Sequence, residues 1–154
     1  MAVLRMRKLG EPVLREKAKE VEKITPELKA IFTDMADSMA HYNGIGLAGP
    51  QVGIDQRLVV VKLEEDFPLI ELINPVLISC EGSEVGVEGC LSVPGIYGEV
   101  ERCTQVMVEF TDIKGKRKRI NVGGLLARAL QHELDHLDGV LFVDKVINYV
   151  TGEE

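Results

Sequence analysis

The segment GGLLARALQHELDHLDG, residues 123–139, decides how this chain is read. Advancing about 100° per residue, as in a helix, Leu125, Ala129, His132 and His136 fall on one stripe. Leu126, Leu130, Leu134 and Leu137 form a neighbouring stripe, with Glu133 at the seam. Arg128, Gln131, Asp135 and Asp138 collect on the remaining side, which reads as a polar outer face. Gly139 after Asp138 is a stop signal. The chain has three His, and two of them stand four residues apart around this carboxylate. At a rise of about 1.5 Å per residue the two imidazoles stack one turn apart. They lie on the apolar side, away from the Arg and Asp side chains where a solvated His would sit. Two imidazoles so placed grip one metal ion, and Glu133 between them can take a proton from a water on it.

A catalytic ion of this kind usually keeps three protein ligands and one open position. One HExxH protease pattern has a third His six residues after the second, and here that position is Phe142. Another draws a Glu from a later helix, but Glu153 and Glu154 alone remain, at an end expected to fray. The third ligand is therefore sought upstream, among His41, Cys80, Cys90 and Cys103. Cys80 and Cys103 occupy strand-like apolar runs and read as buried, inert thiols; His41, near the end of a helix, reads as solvated. Cys90 sits in EGCLSVPG, residues 88–95, where Gly and Pro suit a loop that approaches another group closely. The favoured set is Cys90, His132 and His136.

Around this site the sequence reads as α+β, with antiparallel sheets packed around a central metal-binding helix. Residues 26–42 form an amphipathic helix with Thr25 as N-cap, Pro26 first, and Leu28, Ile31, Met35 and Met39 as its apolar stripe. Residues 57–63, 69–79, 105–111 and 117–122 read as strands, and Asp112 to Lys116 as the hairpin turn between the last two. A short closing segment follows at 143–150. The length of 154 residues fits one catalytic domain, 1–154, without repeats or a linker. With 18 basic and 25 acidic residues the net charge is −7, which argues against general nucleic-acid binding. No apolar run approaches membrane-spanning length, and the N-terminus lacks a signal-peptide core. Three Cys, an odd number, suit a reducing cytoplasm in which thiols stay free.

Three motifs now stand in order: GIGLAGPQ at 44–51, EGCLS at 88–92 and QHELDH at 131–136. Together they resemble the peptide deformylases, and the resemblance runs from LGEPVL at 9–14 to Val143. It implies a metal-dependent hydrolase that removes the N-formyl group from N-formylmethionyl peptides and releases formate. It implies one divalent ion per chain, Fe²⁺ as the working ion, with Zn²⁺, Ni²⁺ or Co²⁺ able to substitute. Glu133 would act as general base, while the Gln51 amide and the Leu91 N–H would steady the charge growing on the formyl oxygen. Gly44, Gly46 and Gly89 would let a nascent peptide lie strand-like against the backbone. Ile45, Leu125 and Ala129 would offer an apolar pocket for the Met side chain, with Tyr97 at the groove rim. A cytoplasmic monomer in transient contact with the ribosome is expected, with no membrane and no specific nucleic-acid partner.

Two positions depart from the family. Gly49 stands where Ala is usual, and is expected to loosen the loop that carries Gln51. Arg128 stands where an apolar pocket residue is common; on the outer face of the wheel, it is expected to narrow or charge the pocket rim. The end at Glu153-Glu154 lacks the basic tail by which some relatives dock on the ribosome. Alternative readings are an HExxH peptidase acting on unblocked peptides and an inactive formyl-peptide binder. Two further patterns are read as decoys. Gly44-x-Gly46-x-x-Gly49 matches a dinucleotide fingerprint but follows a helix and leads towards a strand, the reverse of what that motif needs. The basic run from Lys114 to Arg119 reads as a solvated hairpin.

Overall fold

A computed structural model of the chain describes residues 2–63 and 67–150; the acidic Glu153-Glu154 end lies outside the described residues. Its two helices are α1, Pro26–His41, and α2, Gly124–Leu137. Eight strands accompany them: β1 Gly46–Ala48, β2 Leu58–Val61, β3 Ile70–Glu81, β4 Glu84–Cys90, β5 Val93–Arg102, β6 Gln105–Thr111, β7 Arg117–Gly123 and β8 Val146–Val150. A five-stranded sheet has the order β1-β2-β3-β6-β7 and a three-stranded sheet the order β4-β5-β8. Every strand pair in both is antiparallel.

The large sheet is covered on both faces, and alternation shows how. In β2 all four residues are buried. Val59 and Val61 enter the cluster that holds Ala127, Leu130 and Leu137 of α2. Leu58 and Val60 enter the other, with Leu28, Phe32, Met35 and Met39 of α1. A strand buried on both faces reads as one continuous apolar run, because successive side chains point to opposite sides. The expected α1 stripe holds, with Phe32 added to it. Thr25 takes the N-cap position with Pro26 behind it, but its side chain makes no capping bond.

The glycine fingerprint follows α1 and leads into β1 and a single 3-10 turn, Gly49–Val52, which is no dinucleotide cradle. The Asp112 turn closes as expected, with Gly115 at φ 88°. In the basic hairpin, Arg117 and Arg119 both pair with Glu109, and Lys118 pairs with Asp112.

Two expectations fail. The stretch around Cys90, read as a loop, is the β4–β5 hairpin. Its glycines and alternating charges carry little strand propensity, and pairing rather than composition makes it a strand. Cys80 and Cys103 are not inert buried thiols. They form a disulfide with Cα atoms 5.6 Å apart, leaving Cys90 as the free cysteine. From Val76 onward β3 runs out from under its cover, so Cys80 is exposed and Cys103 half-buried.

Candidate metal centre

Helix α2 is fixed in place before any chemistry is considered. Gly139 adopts φ 76° just beyond it, and a Cβ there would stand 2.6 Å from the Arg15 carbonyl, so only glycine ends the helix this way. Arg57 donates to the Leu137 carbonyl at 3.0 Å and pairs with Asp138 at 2.9 Å, placing a cation at the negative end of the helix. His132 and His136 then lie one turn apart, ring centroids 5.0 Å from each other. Cys90, at the end of β4, brings its Sγ to 3.3 Å from His136 Nε2. One ligand atom from each of Cys90, His132 and His136 lies within 4.8 Å of the other two. Phe142, at the place of the missing third His, stacks on His132 with centroids 6.1 Å apart.

His132 is oriented by a residue to which the sequence reading gave no role. Its Nδ1 meets Glu88 Oε1 at 3.0 Å, which leaves Nε2 for the site. Glu88 in turn accepts two bonds from Arg102, at 2.8 and 2.9 Å, and one from Arg128 at 2.8 Å. Arg102 also reaches Asp135 at 2.7 Å. The signal available was strand alternation: Glu88 and Cys90, two apart, turn to one face once the segment is a strand.

The electrostatics follow from this packing. Burial works against charge on Glu88, but the Arg102 and His132 bonds outweigh it and bring the carboxyl down to about 2. Burial likewise opposes a charge on His132. Bonds to Cys90 and Glu88 and the Glu133 charge overcome it and draw the imidazole up to about 10. A cation on Nε2 competes with that proton, so ion uptake is linked to proton release. Burial, together with the His132 and Arg102 charges, holds His136 well below its ordinary value, leaving its lone pair free. Burial pushes Glu133 up to about 7, despite the pull of His132. Glu133 Oε1 is buried without a protein partner. A soft thiolate, two imidazoles and a neighbouring unpaired carboxyl oxygen fit a divalent ion with an open position.

This floor opens into a cavity of about 590 Å³ lined by Gly44, Ile45, Gly46, Gly89, Leu91, Tyr97, Leu125, Ala129, His132 and Glu133, among others. Two of its glycines have close neighbours. A Cβ on Gly46 would stand 2.8 Å from Glu133 Oε2, and one on Gly89 would stand 2.7 Å from the Tyr97 ring. Leu125 is 56% and Tyr97 42% exposed, at the mouth, whereas Ala129 is buried. Gln51 is buried at the edge of the site, its Nε2 3.5 Å from Cys90 Sγ.

The polypeptide deformylase family model matches residues 3–151. The peptide deformylase of Caldanaerobacter subterraneus subsp. tengcongensis is 52% identical over 154 residues, covering 100% of this chain and 96% of that one. A crystal structure of a peptide deformylase from Synechococcus elongatus in complex with actinonin superposes with TM-score 0.91. It is 48% identical and covers 94% of this chain and 79% of that chain. That from Thermotoga maritima gives TM-score 0.91 at 40% identity, covering 95% and 99%. The chain belongs to the polypeptide deformylase family. It is a hydrolase that removes the N-formyl group from newly made peptides.

Within the deformylase frame, Arg128 does line the cavity, as expected of a residue at its rim, but its surroundings differ from those expected. At Gly49 the loop is closely packed: a Cβ there would meet the Ile54 and Gln56 carbonyls at 2.8 Å, and glycine allows that approach. Gln51 is 1% exposed, its Oε1 accepting from Ala48 N at 3.0 Å and its Nε2 donating to Ser92 Oγ at 3.4 Å. Arg128 is not on a solvated outer face, because the β4–β5 hairpin covers that side of α2. Its guanidinium donates to Glu88, to the Val100 carbonyl at 3.0 Å and to the Glu84 carbonyl at 2.8 Å. Gly86 leaves it room, since a Cβ there would stand 3.0 Å from the guanidinium carbon. Gln131 and Asp135, placed by the wheel on the same outer side, are likewise drawn into contacts, Gln131 with Cys103 and Asp135 with Arg102.

Proposed function

We propose that Cys90, His132 and His136 hold one divalent cation, with Glu133 as proton carrier, and that the attacked group is the formyl carbon of an N-formylmethionyl peptide. When bound, such an ion supplies Lewis acidity and water acidified towards neutrality. Glu133 takes the proton of the attacking water and hands it to the departing amine, a task suited to a carboxyl held near 7. Gln51 Nε2 and the Leu91 N–H receive the charge growing on the formyl oxygen. The peptide lies along Gly44, Gly46 and Gly89, its Met side chain among Ile45, Leu125 and Ala129, with Tyr97 at the rim. The observation that carries this reading is the unpartnered, buried Glu133 Oε1 beside three converging donor atoms at the floor of the cavity.

Fe²⁺ is the proposed working ion. A mixed thiolate–imidazole set also accepts Zn²⁺, Ni²⁺ or Co²⁺, since ligand type alone does not select among them. The chain is read as one catalytic domain over 1–154, acting as a cytoplasmic monomer in transient contact with the ribosome, where formylated chains emerge. What supports a non-membrane setting is that no described helix is long and apolar enough to cross a bilayer.

The test is formate release from formyl-Met-Ala-Ser by anaerobic, Fe²⁺-loaded protein, with Glu133→Ala as the blank. Release is expected from the wild type and not from the variant, and Gln51→Ala should lose about 3 kcal/mol of transition-state stabilisation. Unchanged release by Glu133→Ala would overturn the role of that residue.

A further inference from the structure

We propose that Cys80 and Cys103 form a thiol–disulfide exchange site whose state sets how firmly the metal centre holds its cation. The inference rests on the ligand set proposed above and extends it. The disulfide closes a loop of sequence separation 23, and that loop contains the whole of β4 and β5, with Glu88 and Cys90 inside it. The bond therefore fastens the base of the hairpin that supplies the thiolate ligand. Cys80 belongs to β3 of the large sheet, on which α2 packs with both His ligands. One covalent link thus joins the frame of the two imidazoles to the frame of the sulfur.

The link also touches the centre through neighbours of its residues. Gln131, just before His132, accepts from Cys103 N at 2.9 Å and donates to Cys103 O at 2.9 Å. Arg102, just before Cys103, holds Glu88 and through it His132. With the bond open, the hairpin base keeps its ladder and the Thr104 N to Glu81 O bond of 3.0 Å, but loses its covalent anchor. Cys90 then samples more positions relative to the helix, its effective concentration at the ion falls, and the ion is held less tightly.

The pair is reachable. Both cysteines border a second cavity of about 780 Å³ on the face of α2 opposite the metal centre, beside Gln131 and Leu134. The co-reactant is a low-molecular-weight disulfide. The exposed Cys80 thiolate attacks one of its sulfurs and expels one thiol. Cys103 then displaces the second thiol, so that two protein thiols and one small disulfide give one protein disulfide and two small thiols. The two electrons and two protons pass to the small molecule. A dithiol reverses the exchange. In a reducing cytoplasm a half-exposed disulfide of this kind is responsive rather than permanent.

The test uses the full chain loaded with Co²⁺, whose thiolate charge-transfer absorption reports Cys90. Wild-type protein is treated with a small disulfide or with a phosphine reductant and then desalted. Its mass reports the loss or gain of two hydrogens, and the transfer of Co²⁺ to a chelator is followed. The oxidised form should release Co²⁺ about 10-fold more slowly than the reduced form. A Cys80→Ser/Cys103→Ser variant should match the reduced form in both treatments. Equal release from both forms, or a mass that the small disulfide leaves unchanged in protein first reduced by the phosphine, overturns the proposal. A Cys90→Ser variant separates the two readings. If it keeps the absorption band, the ligand set itself is wrong; if it loses the band while wild-type release ignores redox state, the exchange site alone fails.

Discussion

The two halves of the candidate metal centre are held by different forces. His132 and His136 ride on a helix whose Ala127, Leu130 and Leu137 are fully buried against β1, β2, β3 and β6. Cys90 rides on a hairpin whose inner face is built around a buried ion pair. Glu88 and Arg102 there are 6% and 4% exposed, and the buried apolar cluster beside them has three members, Val93, Val100 and Phe142. Apolar burial is non-directional and insensitive to pH, so the helix half tolerates small displacements. A buried ion pair works only while both partners remain charged and aligned. The site thus couples a robust frame to a conditional one.

Removing one charge should break the comparison most visibly. Arg102→Met leaves Glu88 without its bidentate partner, and urea unfolding should show a loss of about 3–5 kcal/mol. The same variant should weaken ion binding by about 10- to 100-fold in a chelator competition, because Glu88 no longer holds His132 firmly. Leu130→Ala sharpens the contrast from the other side. It should cost about 2–5 kcal/mol as a cavity, while ion affinity in the folded protein changes little. Stability lost with no selective effect of Arg102→Met on the ion would mean that the two halves are not held differently.

Acid should discriminate more gently. The folded Glu88 carboxyl lies near 2, below its ordinary 4.5. Its contribution is therefore complete above about 4.5 and lost as pH falls towards 2. Unfolding followed between pH 6 and 3 should show this dependence in the wild type and much less of it in Glu88→Gln. The smallest effect belongs to the surface. The Arg15 bond, chief among its causes, lowers the Asp144 carboxyl, yet both side chains are more than a third exposed. Asp144→Asn should therefore cost less than about 1 kcal/mol by urea unfolding.

Legibility divides along the same line. Helix α2 declared itself through a 3.6-residue period and a glycine stop, and β6 and β7 through alternating runs joined by a recognisable turn. The hairpin did not. Glycine at 86, 89 and 98 suppresses strand propensity. Two of its buried residues, Glu88 and Arg102, are charged and Gly98 is a third without a side chain, so the apolar alternation that marks a strand is interrupted. The helical wheel placed Arg128, Gln131 and Asp135 correctly on one side of α2, but could not know that the hairpin covers it.

The sequence by itself determined the family and the helix with its two His and one Glu, and it put Cys90 forward as the upstream candidate for the third ligand. These are local patterns, or single residues left when alternatives were removed. Tertiary structure alone decided that Glu88 orients His132 across 44 residues, that Arg102 and Arg128 hold Glu88, and that Cys80 meets Cys103. Such partners leave no period in the chain. Their pairing is specified by the packing that brings them together, and a buried charge becomes intelligible only when its counter-charge is in view.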